Sequence, residues 1–242
     1  MCYSCCPSSC VCYTGPFETL QQCPKCKANC YKADGTTPCS YFEYLPIILH
    51  LWAMVANYTY AEKMQYWSNH IHNPTKATDI LNGTHYTSLL GKYVTIDNEQ
   101  LPIRFFSDPW DIALGLSTDG FGPFKHRNKA AWPLILFNYN LSPEEMFHKK
   151  HIIPLGSIPG PKKPLDLDSF LWPVVQELLK LEIGVLAFDA LLWTTFTIHA
   201  YLIVVFGDIP AVLMVMRVEY NESYLVCYHV CFSLFCFNCF IT

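Results

Sequence analysis

The stretch Ile112-Ala-Leu-Gly-Leu-Ser-Thr-Asp119-Gly decides the fold class, because it is a short apolar run that ends in an acid and a turn signal. Such a run is typical of a buried strand. Tyr201-Leu-Ile-Val-Val-Phe-Gly-Asp208 repeats the pattern later in the chain. Two neighbouring strands that each end in a carboxylate could hold divalent cations at the rim of a sheet. An Asp that only forms a turn is the ordinary alternative.

Further elements are predicted between these two strands. The segments Trp132–Tyr139 and His151–Ile158 have the apolar content of strands. Helical spacing over residues 170–179 predicts a helix, with Ser169 as its candidate cap. A second helix is predicted over Phe188–His199. The main order is therefore three strands, a helix and a strand, which indicates an α/β core with a mixed sheet and flanking helices.

The region before this core is predicted to be helical and irregular. Apolar residues with helical spacing between Tyr41 and Tyr66 predict two short helices. Turn-forming pairs over residues 68–100 predict a loop with a short strand near Lys92–Ile96. Composition divides the chain into a Cys-rich module at 1–40, a helical and loop linker at 41–100, a core at 101–217 and an apolar, Cys-rich tail at 218–242.

The thirteen cysteines lie only near the two ends of the chain. A secreted disulfide scaffold would spread its bridges through the fold, and an odd count leaves one thiol over. The motif Cys6-x3-Cys10-x12-Cys23-x2-Cys26 supplies four soft ligands in two close pairs, as a tetrahedral structural Zn²⁺ requires. We predict a zinc-ribbon-like module on these four, with Cys12 and Cys30 as substitutes. Reduced cysteines without a metal are the alternative.

The charge distribution limits contacts with nucleic acid to one part of the chain. With 16 Lys+Arg against 20 Asp+Glu, the net charge of −4 excludes a basic footprint over the whole protein. Residues 120–163, however, hold seven basic side chains and two acidic ones, and Lys125, Arg127 and Lys129 directly follow the first candidate acid. These three residues are predicted to contact the DNA backbone. A solvated surface is the alternative.

Two apolar stretches raise the question of a membrane. Residues 188–206 contain Asp189 and His199, so a core helix followed by a buried strand accounts for them better than a membrane span. Residues 224–242 carry no Asp, Glu, Lys or Arg. A membrane anchor in this tail is therefore kept as a minor alternative.

Seven strings occur in order along the chain, and together they resemble the CACTA (En/Spm-type) DNA transposases of plants and fungi from about Cys6 to about Arg217. They are Cys6-Pro-Ser-Ser-Cys10, Cys23-Pro-Lys-Cys26, Phe106-Ser-Asp-Pro109, Leu114-Gly-Leu-Ser-Thr-Asp-Gly-Phe-Gly-Pro-Phe124, Trp132-Pro-Leu-Ile-Leu-Phe-Asn-Tyr-Asn-Leu141, Ile158-Pro-Gly-Pro-Lys-Lys-Pro164 and Phe206-Gly-Asp-Ile-Pro-Ala211. The resemblance implies a nuclear cut-and-paste transposase with an RNase H-like catalytic fold. Its partners would be transposon-end DNA and other transposase subunits.

The resemblance also implies catalytic residues. It assigns Asp119 and Asp208 as the first two acids of a metal-binding triad, with Mg²⁺ expected and Mn²⁺ as a substitute. The family places a Cys-x-x-Cys and a third acid, a Glu, well beyond the second Asp, whereas Glu219 and Glu222 are the only acids after Asp208 here. We therefore expect a truncated, inactive copy. The alternatives are a zinc-dependent DNA- or protein-binding module without catalysis, and a tail-anchored membrane protein.

Overall fold

The computed structural model describes residues 1–71, 79–121 and 131–216. The first part of the chain holds β1 (Cys2–Ser4), β2 (Tyr41–Glu43), α1 (Ile47–Val55), α2 (Tyr58–Met64), α3 (Thr84–Leu89), β3 (Tyr93–Ile96) and β4 (Glu99–Arg104). The second part holds β5 (Ile112–Thr118), β6 (Ala131–Asn138), α4 (Pro143–Met146), β7 (Ile153–Pro159), α5 (Leu167–Ile183), β8 (Val185–Asp189), β9 (Thr194–Ile198), β10 (Ala200–Phe206) and α6 (Ile209–Met216).

A mixed four-stranded sheet with the order β10-β5-β6-β7 forms the centre of the fold. Strands β5, β6 and β7 run antiparallel to one another, and β10 lies parallel to β5 on the other side. A parallel neighbour requires a long crossover connection, which α5 and the hairpin after it provide. The four predicted core strands and the helix between the third and the fourth are confirmed.

Helix α5 packs on this sheet through buried side chains that include Phe170, Val174 and Leu178. Its cap differs from the prediction, because the side chain of Asp166, not that of Ser169, accepts the capping hydrogen bond, from the Ser169 backbone N–H at 3.0 Å. Pro173 lies inside the helix. Since proline has no N–H, the carbonyl of the residue four positions earlier loses its helical donor. That carbonyl belongs to Ser169.

The helix predicted over Phe188–His199 is wrong, because this segment forms most of the antiparallel hairpin β8–β9. Helix α5 ends at Gly184, whose φ of 109° is outside the helical region. Asp189 then makes the turn, since its carboxylate accepts hydrogen bonds from the backbone N–H groups of Leu191 and Leu192. Three β-branched threonines in β9 also favour an extended strand.

The two short helices predicted between Tyr41 and Tyr66 are confirmed as α1 and α2. The following region is more regular than predicted, because it contains α3 and the antiparallel pair β3–β4. In the part of the chain that the structure describes, no helix is both long and apolar enough to cross a membrane. The tail residues 224–242 lie outside that part.

Among the described residues, buried side chains form one main core and one small satellite cluster. The main core joins the central sheet to α1, α5 and the N-terminal segment, from which Cys5 and Cys12 contribute. The satellite cluster contains Cys6, Cys10, Val11, Tyr13, Cys23 and Cys30. The N-terminal cysteine segment thus has a small interior of its own and also packs on the larger domain.

Candidate functional site

The structure brings Cys6, Cys10, Cys23 and Cys26 together, with all four Sγ atoms within 4.8 Å of one another. Four sulfurs around a tetrahedral Zn²⁺ would lie about 3.8 Å apart, given a Zn–S distance of about 2.3 Å. The cluster therefore has the ligand type, number and spacing of a zinc site. Cys12 belongs instead to the main core, where it lies opposite Cys5 in an antiparallel bridge.

Two tight turns place these sulfurs. In the first, the backbone N–H of Ser9 donates to the carbonyl of Cys6 at 2.8 Å, and in the second the N–H of Lys27 donates to the carbonyl of Cys23 at 2.9 Å. Ser9 and Lys27 both adopt positive φ angles, 60° and 62°. Each turn bends the chain back so that both cysteines of a pair face the same point.

The thiols differ in their tendency to ionise. Burial raises the pKa of the Cys6 and Cys10 thiols, because the charged form loses solvation. The backbone N–H of Ala28 is the main group that lowers the pKa of Cys26, to about 7. A buried thiolate is stable only beside a positive charge, and a metal ion binds the thiolate form. A divalent cation would supply that charge to Cys6 and Cys10.

The cysteine segment is fastened to α5 through Ser169, which is 4% exposed. The backbone N–H of Cys12 donates to the Ser169 hydroxyl at 2.8 Å. The hydroxyl of Thr14 donates to the Ser169 carbonyl, which is the carbonyl left without a helical donor by Pro173. The Asp166 N–H also donates to the carbonyl of Cys10 at 2.9 Å. The cluster is therefore fixed relative to the central sheet.

The second candidate site lies where β5 and β10 end. Phe206 pairs with Ser117 in the parallel register of these strands. Asp119 and Asp208 each follow two residues later, so the two acids lie at the same edge of the sheet on neighbouring strands. Both are exposed. Among residues 1–71, 79–121 and 131–216, no third metal-binding side chain clusters with this pair.

Gly207 and Gly120, one beside each acid, are packed closely against neighbouring groups. Neither glycine is predicted as a site residue from the sequence. A Cβ on Gly207 would lie 2.5 Å from the carbonyl oxygen of Thr118. A Cβ on Gly120 would lie 2.4 Å from the indole of Trp132. At distances below 3.0 Å the neighbouring group must shift, which for Gly207 means movement of the backbone at Thr118. Their positions directly beside the two acids, in the strings Asp119-Gly120 and Gly207-Asp208, are the signal that could have identified these glycines.

Asp208 also caps α6. One of its carboxylate oxygens, Oδ1, accepts a hydrogen bond from the Ala211 backbone N–H at 2.8 Å, and its carbonyl accepts from the Val212 N–H at 3.0 Å. A carboxylate at a helix N-terminus is stabilised by the partial positive charge there. The Asp208 side chain is thereby oriented at the start of α6.

A buried His–Asp pair at the opposite edge of the sheet is separate from this site. His199 Nδ1 lies 3.2 Å from Oδ1 of Asp111, which has no exposed surface. The other Asp111 oxygen accepts hydrogen bonds from the backbone N–H groups of Ser107 and Asp108. These contacts satisfy the buried carboxylate and hold the loop before β5. The predicted DNA contacts Lys125, Arg127 and Lys129 lie outside the described residues.

A family model described as transposase family tnp2 matches residues 93–237, which is more than half of the chain. The match begins after the cysteine segment. The matched range includes Asp119 and Asp208 and continues past Arg217. The family resemblance carried by the seven sequence strings ends at about Arg217. No curated protein matches the chain.

Proposed function

Because the chain belongs to transposase family tnp2, we propose that it is a transposase-derived protein of the CACTA type in which Asp119 and Asp208 bind Mg²⁺, or Mn²⁺ in its place. The observation that supports this most directly is the parallel pairing of β5 with β10. That pairing carries the two acids to one edge of the sheet, although 88 residues separate them in the sequence.

The strand order supports an RNase H-like core. Three antiparallel strands in sequence are followed by a helix and by a fourth strand that lies parallel to the first, beside it. This arrangement corresponds to the front half of such a fold. The hairpin β8–β9 is an addition between the helix and the fourth strand.

At this site the carboxylates would bind a divalent cation and orient it. The cation would supply Lewis-acid stabilisation of the phosphate under attack. Two carboxylates alone give few oxygen ligands, whereas two-metal phosphoryl transfer requires both cations to be fixed. Glu219 and Glu222 follow Asp208 in the sequence but lie outside the described residues. We therefore propose that these 242 residues, tested alone, bind the cation without cleaving DNA.

The cysteine cluster has a structural role in this proposal. One Zn²⁺ bound by Cys6, Cys10, Cys23 and Cys26 would hold residues 1–40 in the fold, since this segment has only the small satellite cluster as its interior. Nuclear location, transposon-end DNA and other transposase subunits as partners are proposed on the family membership.

Cation binding by the acids is tested with the variant Asp119→Asn. Mn²⁺ binding, followed by electron paramagnetic resonance, should be lost in this variant because one of the two charged ligands is removed. Asp97→Asn is the matched control, since Asp97 is exposed in the β3–β4 turn, far along the chain from both acids. Equal Mn²⁺ binding by the unmodified chain, Asp119→Asn and Asp97→Asn would contradict a cation site at Asp119.

Catalysis is tested separately, by nicking of transposon-end DNA with Mg²⁺ or Mn²⁺. We expect no cleavage by the unmodified chain. Cleavage that disappears in Asp119→Asn would contradict the proposed inactivity and would show that a third ligand exists within these 242 residues.

The zinc proposal is tested by native mass spectrometry of the expressed chain. We expect one zinc ion per chain, which Cys23→Ser should release. Cys2→Ser is the matched control, because Cys2 is exposed and lies outside the four-sulfur cluster. A metal-free unmodified chain with an intact fold would contradict a zinc module.

A binding module without catalysis is the second candidate function, and the capping bond of Asp208 favours it. That bond gives the residue a structural role that needs no metal. In this case DNA or protein binding should be the same in the unmodified chain and in Asp119→Asn, and neither should bind Mn²⁺.

A further inference from the structure

A cavity of about 260 Å³ lies between the cysteine segment and α5. Its lining is rich in aromatic rings and also contains two carboxylates. The aromatic residues are Tyr3, Tyr13, Tyr44 and Trp172, and the acids are Glu18 and Glu177. Neither the zinc cluster nor the Asp119–Asp208 pair uses this cavity.

The rings are held in place by the surrounding fold. Tyr44 is 1% exposed, and its ring centroid lies 6.4 Å from that of the half-buried Tyr3. The indole of Trp172 packs so closely on Gly15 that a Cβ there would lie 2.6 Å from Cδ2 of the ring. These rings require little ordering when a ligand enters, which lowers the entropic cost of binding.

The carboxylates give the cavity negative charge near its rings. Glu177 is fixed, because its Oε2 accepts hydrogen bonds from the Tyr44 hydroxyl at 2.5 Å and from the Ile47 N–H at 2.6 Å. Glu18 is exposed. Tyr3, Glu18 and Glu177 line the same cavity. Burial raises the pKa of the Tyr3 hydroxyl, and the charges of Glu177 and Glu18 raise it further.

Two cationic groups also line the cavity. Lys180 is exposed. The amino group of Met1 donates to the carbonyl of Tyr44 at 2.7 Å, so one ammonium group already lies at this wall. Lys180 should oppose the entry of a further cation by repulsion.

We propose that this cavity binds a quaternary ammonium group, as found in trimethylated lysine or in choline. Faces of Trp and Tyr attract cations through the ring quadrupole, and clusters of such rings bind methylated ammonium groups. A quaternary ammonium donates no hydrogen bonds, so it loses less on leaving water than a primary ammonium does, and Glu18 and Glu177 provide carboxylates beside the rings. The inference does not depend on the proposed transposase function.

The test is calorimetric titration of the full, zinc-supplied chain with choline and with its neutral isostere 3,3-dimethylbutan-1-ol. We expect choline to bind at least fivefold more tightly, since the two molecules differ mainly in charge. Equal affinities, or no binding of choline at millimolar concentration, would overturn the proposal.

Variants connect the binding to the cavity. Trp172→Leu and Tyr3→Leu should each weaken choline binding at least fivefold, while Tyr3→Phe, which keeps the ring, should retain it. Trp193→Leu is the matched control, because Trp193 is 82% exposed on the β8–β9 hairpin. Lys180→Gln should strengthen binding. If Trp172→Leu and Tyr3→Leu both kept the affinity of the unmodified chain for choline, choline would bind outside this cavity and the proposed site would be wrong.

Peptides distinguish the two sources of the ligand. A peptide with trimethyllysine should bind, and the same peptide with unmodified lysine should bind at least fivefold more weakly. Tighter binding of the trimethylated peptide than of choline would identify a protein ligand, whereas tighter binding of choline would identify a small molecule. Equal binding of the two peptides would contradict recognition of the methylated group.

Discussion

Replacement of Ser169 by alanine should destabilise the whole protein, because it removes a hydroxyl that donates to the Asp166 carbonyl at 2.8 Å and accepts from the cysteine segment. The Ser169 hydroxyl accepts the backbone N–H of Cys12 at 2.8 Å, and Cys12 has no exposed surface. In the variant that N–H stays buried without a partner, which costs about 1–3 kcal/mol. Alanine recovers up to about 0.5 kcal/mol because it is the better helix former. The free energy of unfolding should therefore fall by about 0.5–3 kcal/mol.

The assay is urea unfolding of the zinc-supplied protein, followed by circular dichroism, with a thermal scan in parallel. For a chain of this size the melting temperature should fall by roughly 1–12 °C. Ser88→Ala is the matched control, since Ser88 is exposed and its hydroxyl donates to the His85 carbonyl within α3. If Ser169→Ala changed the free energy of unfolding by less than about 0.5 kcal/mol, the tether to α5 would not have the assigned importance.

Gly207→Ala would place a Cβ 2.5 Å from a backbone carbonyl oxygen, so it should force the ends of β5 and β10 apart. The free energy of unfolding should fall by about 1–3 kcal/mol and Mn²⁺ binding should weaken. An unchanged urea midpoint together with an unchanged Mn²⁺ affinity would contradict this prediction. Burial raises the pKa of Glu182 to about 7. The contribution of this side chain to stability should therefore be greatest below about pH 4.5, where it is neutral in both states, and should fall by at most about 3 kcal/mol as the pH rises through 7. Glu182→Gln should abolish that fall in urea titrations at pH 5 and 8, and a persistent fall would assign it to another group. Combined alanine replacement of Lys125, Arg127 and Lys129 should weaken duplex DNA binding and reduce its salt dependence, and equal binding would indicate a solvated surface.

Sequence patterns predict an element well when its apolar residues fit the repeat of either a strand or a helix but not both. The apolar runs that became β5 and β10 are short and end in turn signals, and α5 has a long helical repeat, so local pattern and tertiary structure agree. Residues 188–199 are apolar without a clear period. There the structure was decided by Asp189, whose carboxylate accepts two backbone N–H groups at the turn, and by the preceding Gly184.

The candidate sites show a similar division. The spacing of the cysteines was sufficient to select four of the nine in the N-terminal segment, because two tight turns create two local pairs. The aromatic cavity could not be predicted, since Tyr3 and Trp172 are 169 residues apart and come together through tertiary contacts such as the Cys12–Ser169 hydrogen bond. Contacts between segments that are far apart in the chain produce no recognisable residue spacing in the sequence.

In the proposed site the two oxygens of Asp208 have different tasks, one in capping α6 and one in binding the cation, so mutations can separate folding from chemistry. Oδ1 is occupied by the Ala211 N–H. Alanine at this position would remove both the cap and the charge, so a phenotype would be ambiguous. Asparagine keeps an oxygen that can cap the helix and removes the negative charge. Asp208→Asn is therefore a separation-of-function allele: it should preserve the thermal stability of the protein and abolish only cation binding.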